Sequence, residues 1–200
     1  GQLAEGTQSL LGAVKEDGRI HGYINHNGTV TGRCSHSNPN LGQVPSVGHA
    51  YGAEFRSLFG VPPGSRLVGC DASGLELRCL ADFMARYDGG AYAKILLEGD
   101  IHSANQGAAG LATRPQAKTF IYAFLYGAGA HKLGAIVGGG EKEGKKMGER
   151  FLKKLPALAR LRDDVQQAAK RGHIYGLDGR PIAVRSQHAA LNTLLQSAGA

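Results

Sequence analysis

The segment Arg114-Pro-Gln-Ala-Lys118-Thr-Phe-Ile-Tyr122-Ala-Phe-Leu-Tyr126-Gly127 decides how the rest of the chain is read. Thr113 and Gln116 stand at capping-box spacing, Pro115 is tolerated in a first helical turn, and Gly127 fits a helix stop. The spacing predicts a helix over 114–126, ~20 Å long. Its faces differ. Ala117, Phe120, Ile121 and Phe124 form a stripe suited to a core. Arg114, Lys118, Tyr122 and Tyr126 recur every fourth residue, a stripe that winds by ~40° per step. Two cations in the first turns oppose the helix dipole unless an anion offsets them. A triphosphate held by Arg114 and Lys118 would leave its sugar and base near the tyrosines. The alternative is an amphipathic helix whose cations snorkel to solvent.

Upstream stands Asp71-Ala-Ser-Gly-Leu-Glu-Leu-Arg78. Arg66–Cys70 reads as a short apolar strand that delivers Asp71, and a carboxylate at a strand end can hold a hard cation such as Mg²⁺ beside substrate phosphates. A turn or capping aspartate is the competing reading. Ser73 and Glu76 have S-x-x-E spacing, so on spacing alone Glu76 is a helix cap. His102, in Gly-Asp-Ile-His, is a candidate phosphate donor, although a lone histidine is more often structural.

Further helices are expected at about 75–87, 90–98, 101–110, 141–154, 157–171 and 188–198. Residues 1–19 read as a helix end and a polar turn. Ile20–Ile24 and Thr29–Thr31 read as strands around Asn27-Gly28, residues 33–50 as loop, and Leu177-Asp-Gly-Arg180 as a hairpin turn before a strand at 182–184. Hairpins, an acid-bearing strand and many helices make an α+β chain.

Composition narrows the function. The 200 residues carry 23 Lys+Arg against 16 Asp+Glu, a net charge of +7. Ten of the cations and five of the acids fall between Glu141 and Arg171. That segment is either a solvated helical pair or a face that follows a phosphate backbone. The 31 glycines are roughly double the ordinary ~7%, but no collagen period exists. Cys34, Cys70 and Cys79 form no C-x-x-C pair, which argues against a disulfide framework or a Cys-rich zinc site and fits a reducing cytosol. The longest uncharged apolar stretch, Thr119–Ala130, is too short for the ~20 residues of a membrane helix. Gly139 to Lys146 imitates a P-loop but lacks its Ser/Thr, and no strand-borne G-x-G-x-x-G occurs. The chain opens on Gly1 and reads as a piece of a longer protein.

In this order the motifs resemble those of the family A DNA polymerases. Asp71–Arg78 resembles motif A, and Arg114–Gly127 resembles motif B, R-x₃-K-x₇-Y-G. Thr31-Gly-Arg33 with Asn38-Pro-Asn40-Leu resembles the primer-side T-G-R…P-N-L segment. His188-Ala-Ala-Leu-Asn192-Thr-Leu-Leu-Gln196 resembles the helix that tracks the template. The wording is more similar to the replicative polymerases of short-tailed, T-seven-like bacteriophages than to bacterial DNA polymerase I.

The resemblance implies a right-hand polymerase, truncated. Residues 1–19 would end a thumb or connector, 20–105 and 176–200 would be palm, and 106–175 would be fingers. It implies template-directed addition of deoxynucleotides to a primer 3′ end during phage replication in the host cytoplasm. Two Mg²⁺ ions would be held by Asp71 with the Ala72 carbonyl. His102, Arg114 and Lys118 would hold the triphosphate, and Lys118 would also protonate the departing pyrophosphate. Tyr122 would lie beside the nucleotide, Tyr126 would stack near the templating pair and bond Glu76, and Glu76 would exclude a ribose 2′-OH. Arg33, Asn40, His188, Asn192 and Gln196 would contact primer–template DNA, with Arg33 and Gln196 on minor-groove acceptors common to all correct pairs. Ser46-Val-Gly48 stands where the family often carries an Arg. The thumb, where a processivity factor would dock, and the H-D-E motif C are absent from these residues, so the piece alone is expected not to polymerise. A non-catalytic nucleic-acid-binding fragment is the alternative; it would keep the basic face without needing Asp71 or the stripe.

Overall fold

The computed structural model describes residues 9–200, which divide into two compact units, one running to Ala72 and one spanning Ser73–Ala200. In the first unit a 3₁₀ turn at Leu11–Ala13 precedes strand β1, Tyr23–Asn25. β1 pairs antiparallel with β2, Ser35–Ser37, in the register Tyr23↔Ser37, Ile24↔His36 and Asn25↔Ser35. A 3₁₀ turn at Leu41–Gln43 and helix α1, Gly52–Ser57, follow.

Two expectations are corrected here. The returning strand is Ser35–Ser37, not Thr29–Thr31. The threonine hydroxyls explain why. Thr29 Oγ1 lies 3.0 Å from Thr31 Oγ1 and donates to the Arg33 carbonyl at 2.9 Å. Such local bonds compete with a strand ladder, so this segment becomes part of the hairpin loop. Arg66–Cys70 is also not a strand. It pairs with no strand among the described residues, and Leu67 and Val68 are 79% and 87% exposed. A strand needs a partner edge to satisfy its backbone groups, and apolar character alone does not supply one. The expected helix end in residues 1–8 lies outside the described residues.

The second unit is a helical assembly with one hairpin. It comprises α2 (Leu75–Asp88), α3 (Ala91–Glu98), α4 (Ile101–Ala109), α5 (Arg114–Leu125), α6 (Ala130–Ala135), α7 (Glu141–Lys154) and α8 (Pro156–Ala169). Strands β3 (His173–Tyr175) and β4 (Pro181–Ala183) pair around the expected turn, and α9 (Ala190–Ala198) closes the unit. The core draws Leu80 and Met84 from α2, Phe120 and Ile121 from α5, Phe151 from α7 and Leu161 from α8, all within 1% of fully buried. Each such side chain contributes roughly 1.5–3 kcal/mol of burial. Phe120 meets Phe151 edge-on, with ring centroids 5.2 Å apart.

The glycine-rich stretch that imitates a P-loop has a packing role. A Cβ on Gly144 would lie 1.8 Å from the Ala130 carbonyl oxygen, and one on Gly134 would lie 1.8 Å from that of Gly140. Glycine therefore lets α6 and α7 approach backbone to backbone. Gly144, Lys145 and Lys146 lie inside α7 rather than in a phosphate-cradling loop. Helices with two small antiparallel hairpins give the α+β class expected. Among the described residues no helix is long and apolar enough to cross a membrane.

Candidate nucleotide and DNA site

Helix α5 forms where its end signals place it. The Thr113 hydroxyl accepts from the Gln116 amide at 3.4 Å, and the Gln116 side chain accepts from the Thr113 amide at 3.1 Å. At the other end the Gly127 amide donates to the Phe124 carbonyl at 3.0 Å and the Ala128 amide to Ala123 at 2.9 Å. This reciprocal closure needs a left-handed residue, and Gly127 supplies it with φ +72°. Ala117, Phe120, Ile121 and Leu125 are buried, while Arg114 and Lys118 are exposed and Tyr122 is half-buried.

At the start of α5 the cations gather with α4. Arg114 donates from Nε to Asp100 Oδ2 at 2.7 Å and from Nη2 to Asp100 Oδ1 at 3.1 Å. This fork–fork geometry holds the Asp100 carboxyl far below the usual carboxylate range, with the Ser103 hydroxyl assisting. His102, one turn into α4, has its proton affinity lowered first by burial, then by the Arg114 charge, with Lys118 adding in the same direction and Asp100 opposing. Its Nδ1 is buried without a hydrogen-bond partner among the described residues. His102, Arg114 and Lys118 thus lie within electrostatic reach of one another at the start of α5.

Further along the helix, the Tyr126 hydroxyl donates to Glu76 Oε2 at 2.9 Å. The Tyr122 and Tyr126 rings lie 6.3 Å apart between centroids. Burial raises the Tyr122 hydroxyl pKa, and the Glu76 charge adds to the shift. The capping-box reading of Glu76 is overturned. The residue at the α2 N-cap is Gly74, with φ +62° and no side-chain cap bond. The Ser73 carbonyl instead accepts from Arg78 Nε at 2.9 Å.

The remaining candidates are more scattered. His188 Nε2 donates to the Gly127 carbonyl at 2.8 Å, which ties the segment before α9 to the end of α5. Asn192 and Gln196 are half-buried one turn apart on α9, and Asn192 Oδ1 is buried without a partner among the described residues. In the first unit Arg33 is half-buried, and Asn40 caps the 3₁₀ turn by accepting from the Gly42 amide at 3.0 Å. Asp71 and Ala72, both exposed, end that unit outside any strand. Asp100 is the residue that sequence reasoning passed over. Its signal was an aspartate two residues before His102 at a helix start, which reads as an ordinary cap.

On this α+β fold, helix α5 carries two cations beside His102 at its start and two tyrosines toward its end, one of them bonded to Glu76. Residues 3–200 match the sequence profile of DNA polymerase family A. The chain belongs to the family A DNA polymerases. It is 53% identical over 223 aligned residues to the DNA-directed DNA polymerases of Enterobacteria phage T3 and Escherichia phage T7, covering 100% of this chain and 32% of each relative. The thermostable DNA polymerase I of Thermus aquaticus is 30% identical over 191 residues, covering 90% of this chain and 22% of the relative. The chain therefore spans about a third of the phage relatives' length. Among solved structures, the POL domain of Pol1 from M. smegmatis, in complex with DNA primer-template and dNTP, superimposes with a TM-score of 0.73 at 26% identity. That match covers 94% of this chain and 37% of the other. The fold is that of a family A polymerase domain.

Proposed function

We propose that the protein carrying this chain is a template-directed DNA polymerase, extending a primer 3′ end with deoxynucleoside triphosphates in the cytoplasm of a phage-infected host. The observation that carries this reading is the stripe on α5. It has Arg114 and Lys118 at one end, beside His102 of α4, and the Tyr126–Glu76 bond at the other. Cations gathered at a helix start, with two tyrosines and a hydrogen-bonded carboxylate further along, are groups that nucleotide selection can use. A non-catalytic nucleic-acid module has no use for Glu76 bonded to Tyr126.

In this reading residues 20–105 and 176–200 are palm and 106–175 are fingers. His102, Arg114 and Lys118 hold the triphosphate, and Lys118 supplies the proton to the leaving pyrophosphate. Tyr122 flanks the sugar, and Glu76, fixed by Tyr126, occupies the space a 2′-OH would need. Arg33, Asn40, His188, Asn192 and Gln196 lie along primer and template. The Asp71 carboxylate and Ala72 carbonyl are hard oxygen donors of the kind that suit Mg²⁺ when substrate phosphates complete the shell. Mg²⁺ bound there would lower the pKa of the primer hydroxyl and neutralise charge on the triphosphate. The comparison with a polymerase holding primer-template and dNTP supports these partners.

Lys118→Ala in the intact protein tests the reading. A lost charge-assisted contact costs about 1.5–3 kcal/mol. The expected result is a fall of roughly 10- to 100-fold in kcat/KM for the nucleotide, with primer–template affinity unchanged. Unchanged nucleotide use, or a loss confined to DNA binding, would overturn it.

A further inference from the structure

We propose that Asp100 is a positioning residue that orients Arg114 for the triphosphate, an inference that rests on the nucleotide reading above. Asp100 is itself held firmly. Its Oδ1 accepts from the His102 amide at 3.1 Å and its Oδ2 from the Ser103 hydroxyl at 2.7 Å. Against that anchored carboxylate Arg114 lays its Nε/Nη2 edge. The Nη1 side of the guanidinium is not engaged by Asp100 and remains for another acceptor.

Stability does not account for the pair. The two side chains are 54% and 43% exposed, and exposed ion pairs contribute little to folding. What the pair does is restrict a long side chain. Arg114 is the first residue of α5, where the helix dipole disfavours a cation and the side chain would otherwise sample many rotamers. A fixed fork reduces the ordering that nucleotide binding must supply, which is how preorganisation improves use of a substrate. Asp100 also links the two phosphate-side residues, because the carboxylate that aims Arg114 caps the helix carrying His102.

The opposite role is separable by sign. A carboxylate that competed with phosphate for Arg114 would weaken nucleotide use, and its removal would improve KM. Asn retains N-cap ability while removing the charge, so Asp100→Asn separates orientation from capping. The experiment measures KM and kcat for a deoxynucleotide with the intact polymerase on primer–template, for wild type, Asp100→Asn, Arg114→Ala and the double variant. The expected result is a KM raised roughly 5- to 20-fold in Asp100→Asn with little change in kcat. The double variant should be no worse than Arg114→Ala, because Asp100 acts through Arg114. A lowered KM, or an unchanged KM with lowered thermal stability, would overturn the proposal. Additive effects in the double variant would also overturn it. If Arg114→Ala raises KM and Asp100→Asn does not, this inference alone fails. If Arg114→Ala itself leaves KM unchanged, the phosphate reading fails with it.

Discussion

Glu76 shows what a single side chain can be asked to do. It lies in the first turn of α2, whose N-cap is Gly74, and its carboxylate accepts from the Tyr126 hydroxyl at 2.9 Å. The role proposed for this carboxylate is a steric gate for the sugar. Glu76→Ala should raise the ratio of ribo- to deoxynucleotide incorporation by the intact protein, with a stability loss of about 0.5–1.5 kcal/mol for one hydrogen bond. If the ratio is unchanged and stability alone falls, the residue has no gating role. Spacing within the sequence pointed to a cap because periodicity senses neighbours a turn away. The partner of Glu76 is 50 residues further on, and motif resemblance, not local pattern, anticipated it. Asp100 was illegible for the related reason that a capping aspartate and an aspartate that also grips an arginine look alike in sequence.

Elements were legible where end signals and periodicity agreed. Helix α5 carries a capping box, a buried stripe and a glycine stop, and it forms where those signals place it. Thr113→Ala should therefore cost about 0.5–2 kcal/mol in urea unfolding, with Thr113→Ser restoring most of it. A variant as stable as wild type would mean that tertiary packing alone holds the helix start. The β3–β4 hairpin was equally readable, because Asp178-Gly179 sits between its strands and Gly179 takes φ +76°. The first hairpin was not. Asn27-Gly28 suggested a tight turn, but threonine hydroxyls drew the chain into a longer loop and moved the return to Ser35–Ser37. Arg66–Cys70 was misread for a different reason: an apolar run states a wish for burial, not the presence of a partner strand.

At the scale of the whole molecule, each compact unit carries its own proposed roles. Asp71 and Ala72, proposed for the metal, belong to the first unit, and the residues proposed for the triphosphate and sugar belong to the second. The surplus of cations, +7 overall and concentrated between Glu141 and Arg171, suits a polyanionic partner but names none. Family membership narrows the partner, and chemistry has to establish the activity. The most direct test is single-nucleotide primer extension by the intact protein in Mg²⁺, with each of the four templating bases, for wild type and Asp71→Ala. The expected result is incorporation of the complementary deoxynucleotide by wild type and its abolition in Asp71→Ala, with primer–template binding retained. No extension by wild type, incorporation that ignores the template, or extension that survives Asp71→Ala would contradict the account.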